Sequence, residues 1–351
     1  MFSSTPETPV YYLSKKQLFT QSHWRKRALP VYLKACQFFG ATLIDRTKTL
    51  ETGIDFKVID PMITPIAYID SFEALCEQRA YQLIELAKGR TIRVLWSGGI
   101  DSTVAMIALQ SALAAKGNMA QLKVLLSTES IAEFPSFFQE KIEGKLDFTL
   151  MKTTIYEHLD QAELNLTGEH GDQLFGSDKL KYWVQSGEAF RPYQEILDYV
   201  ISRKLGTEKH TQALIDYLAP QLSKSPIPIH TLYDYLWWMN FSMKWQNVSM
   251  RLIHGMKKSH ELLNQSIFHF FQSTDFQQWS LLNHHQKIDS TWNSYKQPAK
   301  DYIYQYHDDK DYWRYKEKEP SLKQVIVGEP QWSLRKWPVK MMRQFRAQLT
   351  A

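Results

Sequence analysis

The chain holds only two cysteines, Cys36 and Cys76. That is too few for a disulfide framework, a CxxC redox pair or a cysteine-rich zinc site, and it suits a reducing compartment. No run approaches the roughly 18 consecutive apolar residues of a membrane span. The opening MFSSTPETPVYYLSKK lacks the basic start and apolar stretch of a signal peptide. A cytoplasmic location with no membrane partner is therefore expected. Gly 14 and Pro 14 are too few for a collagen-like or low-complexity chain. Lys+Arg 42 against Asp+Glu 37 leaves a formal charge of only +5, which allows a nucleic-acid partner without indicating one. What remains is the make-up of a globular protein, 44% hydrophobic and 23% charged over 351 residues. At about 150 residues per domain, two domains are expected.

Residues 1–70 show no long period of either kind and read as an N-terminal extension or small domain. From Phe72 to Lys88, Leu75, Ala80, Leu83, Ile84 and Ala87 recur at helical spacing, and Gly89 follows as a C-cap. Thr91 to Trp96 is a β-rich run; after a glycine turn, Asp101 to Lys116 reads as a buried helix closed by Gly117. Leu122 to Leu126 predicts a strand, Pro135 to Glu143 a short helix, and Leu146 to Met151 another strand. Strands alternating with helices over 71–180 imply an α/β fold, a parallel sheet flanked by helices. Residues 181–351 read as a mainly helical C-terminal part, including the aromatic-rich stretch Tyr233 to Met250.

The glycine turn is Ser97-Gly98-Gly99-Ile100-Asp101-Ser102. Its glycines let backbone approach a ligand closely, and the helix behind it aims free N–H groups and its positive dipole end the same way. That is a phosphate cradle, although neither GxxxxGK[ST] nor GxGxxG is present. A carboxylate inside an anion nest repels phosphate unless a divalent cation lies between them, so Asp101 is most simply a magnesium ligand. The competing reading is a plain strand-to-helix turn with Asp101 and Ser102 as helix caps.

A second acidic turn, TGEHGDQLFGSD, spans Thr167 to Asp178 and holds Glu169 and Asp172 three residues apart among glycines. Such a pair can hold a metal or orient an acceptor, and a place facing the first turn across the sheet's carboxyl edge suits that chemistry. The alternative is a solvated acidic turn capping the next helix.

SGGIDS resembles the PP-loop of the ATP pyrophosphatases, and TGEHGDQLFGSD resembles the TGEGxDELFxG signature of asparagine synthetases and their relatives, including β-lactam synthetases. His170 stands at a glycine position of that signature and Gln173 at the second acid of its Asp-Glu pair, whereas Asp172 matches. The resemblance extends faintly to Asn247–Gly255 (NVSMRLIHG) and to Lys296–Tyr304 (KQPAKDYIY), covering about residues 90 to 320. It implies a synthetase that splits ATP between its α and β phosphates with Mg2+. A carboxylate or amide-type oxygen is adenylated, and ammonia or an amine then displaces AMP.

The resemblance implies catalytic roles for Asp101, Glu169, Asp172 and Lys300, with Asp101, Glu169 and Asp172 as metal ligands. ATP and pyrophosphate would be held by Leu95, Ser97, Gly98, Gly99, Asp101, Ser102, Leu126, Gly168 and Lys318. Lys300 is the pyrophosphate lysine on this alignment, with Lys316 and Lys318 as competitors. Phe2 and Ser3 stand where the family's glutaminase carries its nucleophilic cysteine, so no glutamine hydrolysis is expected within the chain and ammonia is left to a separate glutaminase. Two other readings share the motif: a PP-loop enzyme that adenylates a tRNA base, and a non-catalytic ATP-binding regulatory module.

The remaining candidates are weaker. His284 and His285, with His269 and His307, have no carboxylate or cysteine at metal-ligand spacing and read as surface or satisfied histidines. The aromatic residues of 231–245 fall at helical spacing and read as core rather than as a base-stacking platform. Neither GxSxG nor HExxH occurs.

Overall fold

The computed structural model describes residues 9–176 and 180–316. Its centre is one sheet of five strands: β1 (Ile92–Leu95), β2 (Leu122–Leu126), β3 (Asp147–Leu150), β4 (Leu164–Thr167) and β5 (Ile267–His269). They lie in the order β3-β2-β1-β4-β5. Every neighbouring pair is parallel, so the chain is an α/β protein. β1 and β2 are rich in Leu, Ile and Val, as strands covered on both faces require. β3 lies at the edge and is mostly exposed.

The helix Ile100–Ala115 is apolar nearly all round and buries Val104, Ala105, Met106, Ile107, Ala108 and Leu109. A helix without a polar face needs cover on both sides. It packs against β1 and β2 of the sheet and against the helices Phe72–Ala87 and Gln297–Tyr306.

Three expected strands and two expected helices appear within a residue or two of their predicted bounds. The first helix ends at Ala87, and Lys88 and Gly89 after it are both at positive φ, +49 and +80, so the expected glycine lies just beyond the cap residue. The short helix expected over Pro135 to Glu143 is instead one helical turn, Pro135–Phe137, running into a π-turn, Phe138–Ile142. Residues 9–71, unreadable by period, carry short helices at Lys15–Thr20, Ser22–Arg27 and Pro30–Phe39 joined by irregular chain. Leu18, Tyr32, Cys36 and Phe39 join the same buried cluster as Val94 and Trp238. The Ile44 and Arg46 amides donate to the carbonyls of Met243 and Ser242.

The sheet also fixes where a ligand can lie. β2 sits on one side of β1 and β4 on the other, so the crossovers leaving β1 and reaching β4 diverge and open a crevice at the strands' carboxyl ends. Leu95 is in register with Thr167, which brings the ends of β1 and β4 level. The glycine turn leaves β1 there and the acidic turn leaves β4. No helix among the described residues is long and apolar enough to cross a membrane.

Candidate functional site

The glycine turn is tied together by its own side chains. Ser102 Oγ accepts from the Ser97 amide at 3.0 Å and lies 2.9 Å from Ser97 Oγ, which accepts from the Gly99 amide at 3.3 Å. Gly98 has φ +75, and a Cβ there would meet the Ser130 carbonyl oxygen at 2.3 Å, so both conformation and space require glycine. Gly99 caps the following helix without a side-chain bond, leaving that end's amide groups directed at the crevice.

The acidic turn nests directly against this one. A Cβ on Gly168 would meet the Ser102 amide nitrogen at 2.5 Å, and one on Gly171 would meet the Asp101 carboxylate carbon at 2.2 Å. The turn then enters a short helix, Gly171–Phe175, held from outside. Asn240 Nδ2 donates to the carbonyls of Asp172 (2.7 Å) and Gly176 (2.9 Å), Trp237 Nε1 and Ser280 Oγ to Leu174, and Tyr233 OH to Phe175. Tyr233, Trp237 and Asn240 all lie on the helix Leu232–Met243. Its aromatic residues are core, as expected, and the polar edges of Tyr233 and Trp237 bind carbonyls at the end of the acid-bearing helix.

The two departures from the TGEGxDELFxG signature are accommodated within this packing. His170 takes the left-handed conformation, φ +76, that a glycine there would adopt without strain. Its buried ring packs on Trp245 at 4.1 Å with Nε2 3.0 Å from Ser249 Oγ, and burial holds its pKa well below the ordinary value. Gln173 turns its amide to Asn240 Oδ1 at 3.3 Å. Beneath them, Thr167 Oγ1 lies 2.6 Å from His269 Nδ1 and accepts from the Glu169 amide, while His269 Nε2 meets the Ser249 carbonyl at 3.1 Å. Burial pushes the His269 pKa down to about 4, so the ring is neutral, donating from Nε2 and accepting at Nδ1.

Between the turns lies a cavity of about 440 Å³, of the size that takes a small-molecule ligand. Leu95, Ser97, Gly99, Asp101, Ser102, Gly168, Glu169, Asp172 and Lys300 all line it. Two expected residues do not. Gly98 serves the turn from behind, its carbonyl accepting from Tyr312 OH at 3.2 Å. Leu126 is buried in the core, and strand alternation presents Leu125 to the cavity instead. Lys318 and Asp178 lie outside the described residues.

The charges are arranged differently from the expectation. Lys296 places Nζ 2.8 and 2.7 Å from the two Asp101 carboxylate oxygens and 2.8 Å from Asp172 Oδ1. Glu169 does not join them; it pairs with Arg251, on the helix Trp245–Gly255. Lys300 donates to the Asn293 carbonyl at 2.7 Å, and burial, reinforced by nearby Lys296, pushes its pKa down to about 8. Lys316 lines the cavity beside the glycine turn and pairs with Glu133 at 2.8 Å.

Lys296, Arg251 and Glu133 are the charged cavity residues that sequence reasoning missed. One signal for Lys296 was present: Pro298 marks a helix start. The helix Gln297–Tyr306 accordingly opens there, with Lys296 as its N-cap at φ +61 and Lys300 one turn further in.

Magnesium fits this donor set in part. Asp101 and Asp172 converge on one cationic point, and one or two carboxylates completed by substrate phosphates is how Mg2+ is commonly held. Glu169 is directed elsewhere, and no group of three acidic, histidine or cysteine side chains converges among the described residues. His284 and His307 are satisfied, by Asp234 and Lys287 and by Ser136 and Glu140 respectively. No family model matches the chain, and no curated protein matches its sequence.

Proposed function

We propose that the chain is an ATP-dependent synthetase of the asparagine synthetase type, cleaving ATP between its α and β phosphates and forming a C–N bond. The observation that carries this reading is the nesting of the SGGIDS turn against the TGEHGD turn at the β1/β4 crevice, with Asp101 and Asp172 meeting at one cation in a shared cavity.

In this reading the adenine lies against the strand ends at Leu95 and Leu125, and the triphosphate runs to the glycine turn. Amide groups at the start of Ile100–Ala115 face the departing β and γ phosphates, and Lys296, Lys300 and Lys316 supply positive charge along the same wall. Asp101 and Asp172 would hold Mg2+, which supplies neutralisation of the pyrophosphate charge. The acceptor enters from the wall formed by Tyr156, Val248, Arg251 and Leu252. Its carboxylate or amide-type oxygen attacks the α-phosphorus, pyrophosphate leaves, and ammonia or an amine then takes the activated carbon from AMP. The protein contributes positioning and preorganised charge, each worth orders of magnitude in rate.

The test incubates the protein with ATP, Mg2+, ammonium and a pool of carboxylic acids including aspartate, and follows the pool by mass spectrometry. An acid converted to its amide, with conversion lost in Asp101→Ala, is the expected result. A tRNA-dependent burst of AMP with no converted acid would contradict the reading in favour of a nucleic-acid-modifying enzyme.

A further inference from the structure

The Asp101–Lys296–Asp172 contact sets a problem for any metal bound there. Three carboxylate oxygens already surround one ammonium at 2.7 to 2.8 Å, and Lys296 is almost fully buried. A divalent cation drawn to the same oxygens cannot share the point with Nζ. We propose that Lys296 is an exchangeable counter-ion: its ammonium neutralises the carboxylates while no nucleotide is bound, then yields them to Mg2+ and turns to the incoming phosphates. This rests on reading Asp101 and Asp172 as the Mg2+ carboxylates.

Three features support the exchange. Lysine carries a compact charge on a flexible four-carbon stem, so its head can move while its backbone stays fixed. The backbone of Lys296 is fixed: its amide donates to the Lys287 carbonyl at 2.9 Å, and its own carbonyl accepts from Ala299 and Lys300. The charge balance also changes in the required sense. Two carboxylates with one ammonium carry −1, and adding Mg2+ makes the set +1, which suits an arriving polyphosphate and disfavours metal binding without one. Lys296 thereby couples metal entry to nucleotide entry.

The test measures Mn2+ affinity by electron paramagnetic resonance with no nucleotide present. Lys296→Met is expected to bind Mn2+ about ten-fold or more tighter than the wild type, because the resident cation is gone. Adding Asp101→Asn to that variant should abolish the gain. Equal affinity in Lys296→Met and wild type would overturn the exchange, as would a gain that survives Asp101→Asn. Should Lys296→Met fail to fold, the wild type decides: saturating Mn2+ should speed amine-reagent labelling of Lys296 several-fold, and unchanged labelling overturns the proposal. None of these readouts uses turnover. A chain that shows the exchange and forms no AMP loses the synthetase reading alone, whereas one that forms AMP without the exchange loses this inference alone.

Discussion

The two turns that frame the cavity are built in opposite ways. The turn after β1 is closed by Ser97 and Ser102, five residues apart, and its shape is written into six consecutive residues. The turn after β4 is held by donors 58 to 68 residues away, Tyr233, Trp237 and Asn240, and by His269 beneath it. A local device can be read from a motif. A device assembled from distant helices needs the fold before its parts can be recognised.

The contrast predicts where each turn breaks. The largest effect is expected at their contact. Gly168→Val puts a branched side chain onto the Ser102 backbone and should separate the turns, reducing AMP formation at least ~100-fold, with destabilisation of about 1–3 kcal/mol. Enzyme assay and chemical denaturation check both figures; activity near that of the wild type would mean that the turns do not work together.

Next comes the remote clamp. Asn240→Ala removes a donor from the Asp172 carbonyl, which keeps the Gly176 amide, and another from the buried Gly176 carbonyl, and should cost about 2–3 kcal/mol, whereas Ser102→Ala, within the local turn, should cost about 1 kcal/mol. Urea denaturation of both variants orders the two devices, and the reverse order would overturn the contrast.

Acid should loosen the β4 side selectively. His269 has its folded pKa depressed to about 4, below the unfolded value near 6.5, so the unfolded chain binds the extra proton first. The stability carried by the neutral ring is complete above about pH 6.5 and is lost as pH falls toward 4. His284, also held near 4 chiefly by burial, adds to the loss in the same window. Denaturation at pH 7 and pH 5 should differ by roughly 2–4 kcal/mol, and His269→Gln should remove about half of that difference. Hydrogen exchange should show β4 opening before the glycine turn.

The smallest effect is expected at His170. Glycine there would relieve the left-handed strain but lose the ring's packing on Trp245, opposing contributions of about 1–2 kcal/mol each. A thermal midpoint shifted by more than about 8 °C either way would contradict that balance.

The same contrast marks what was legible in the sequence. β1, β2 and the helix behind the glycine turn were readable because their apolar pattern is continuous and their caps are local. β4 and β5 were not: Leu164–Thr167 and Ile267–His269 are short and contain Asn165, Thr167 and His269, polar residues whose burial only their neighbours satisfy. In the site, Asp101 and Asp172 were identified from the turns that carry them. Their shared partner Lys296 was passed over because the resemblance over Lys296–Tyr304 put the pyrophosphate lysine at Lys300, one helical turn beyond the N-cap that Lys296 occupies. Glu169 was grouped with the other acids by its spacing and by the resemblance, and Arg251, 82 residues away, sets its direction.

The most direct test of the account is the phosphorus NMR spectrum of ATP turned over by the wild-type chain with Mg2+, ammonium and the carboxylic acid pool. Signals of AMP and pyrophosphate, absent with Asp101→Ala, are predicted. ADP and inorganic phosphate would contradict the account, because the paired turns would then be releasing the wrong phosphate.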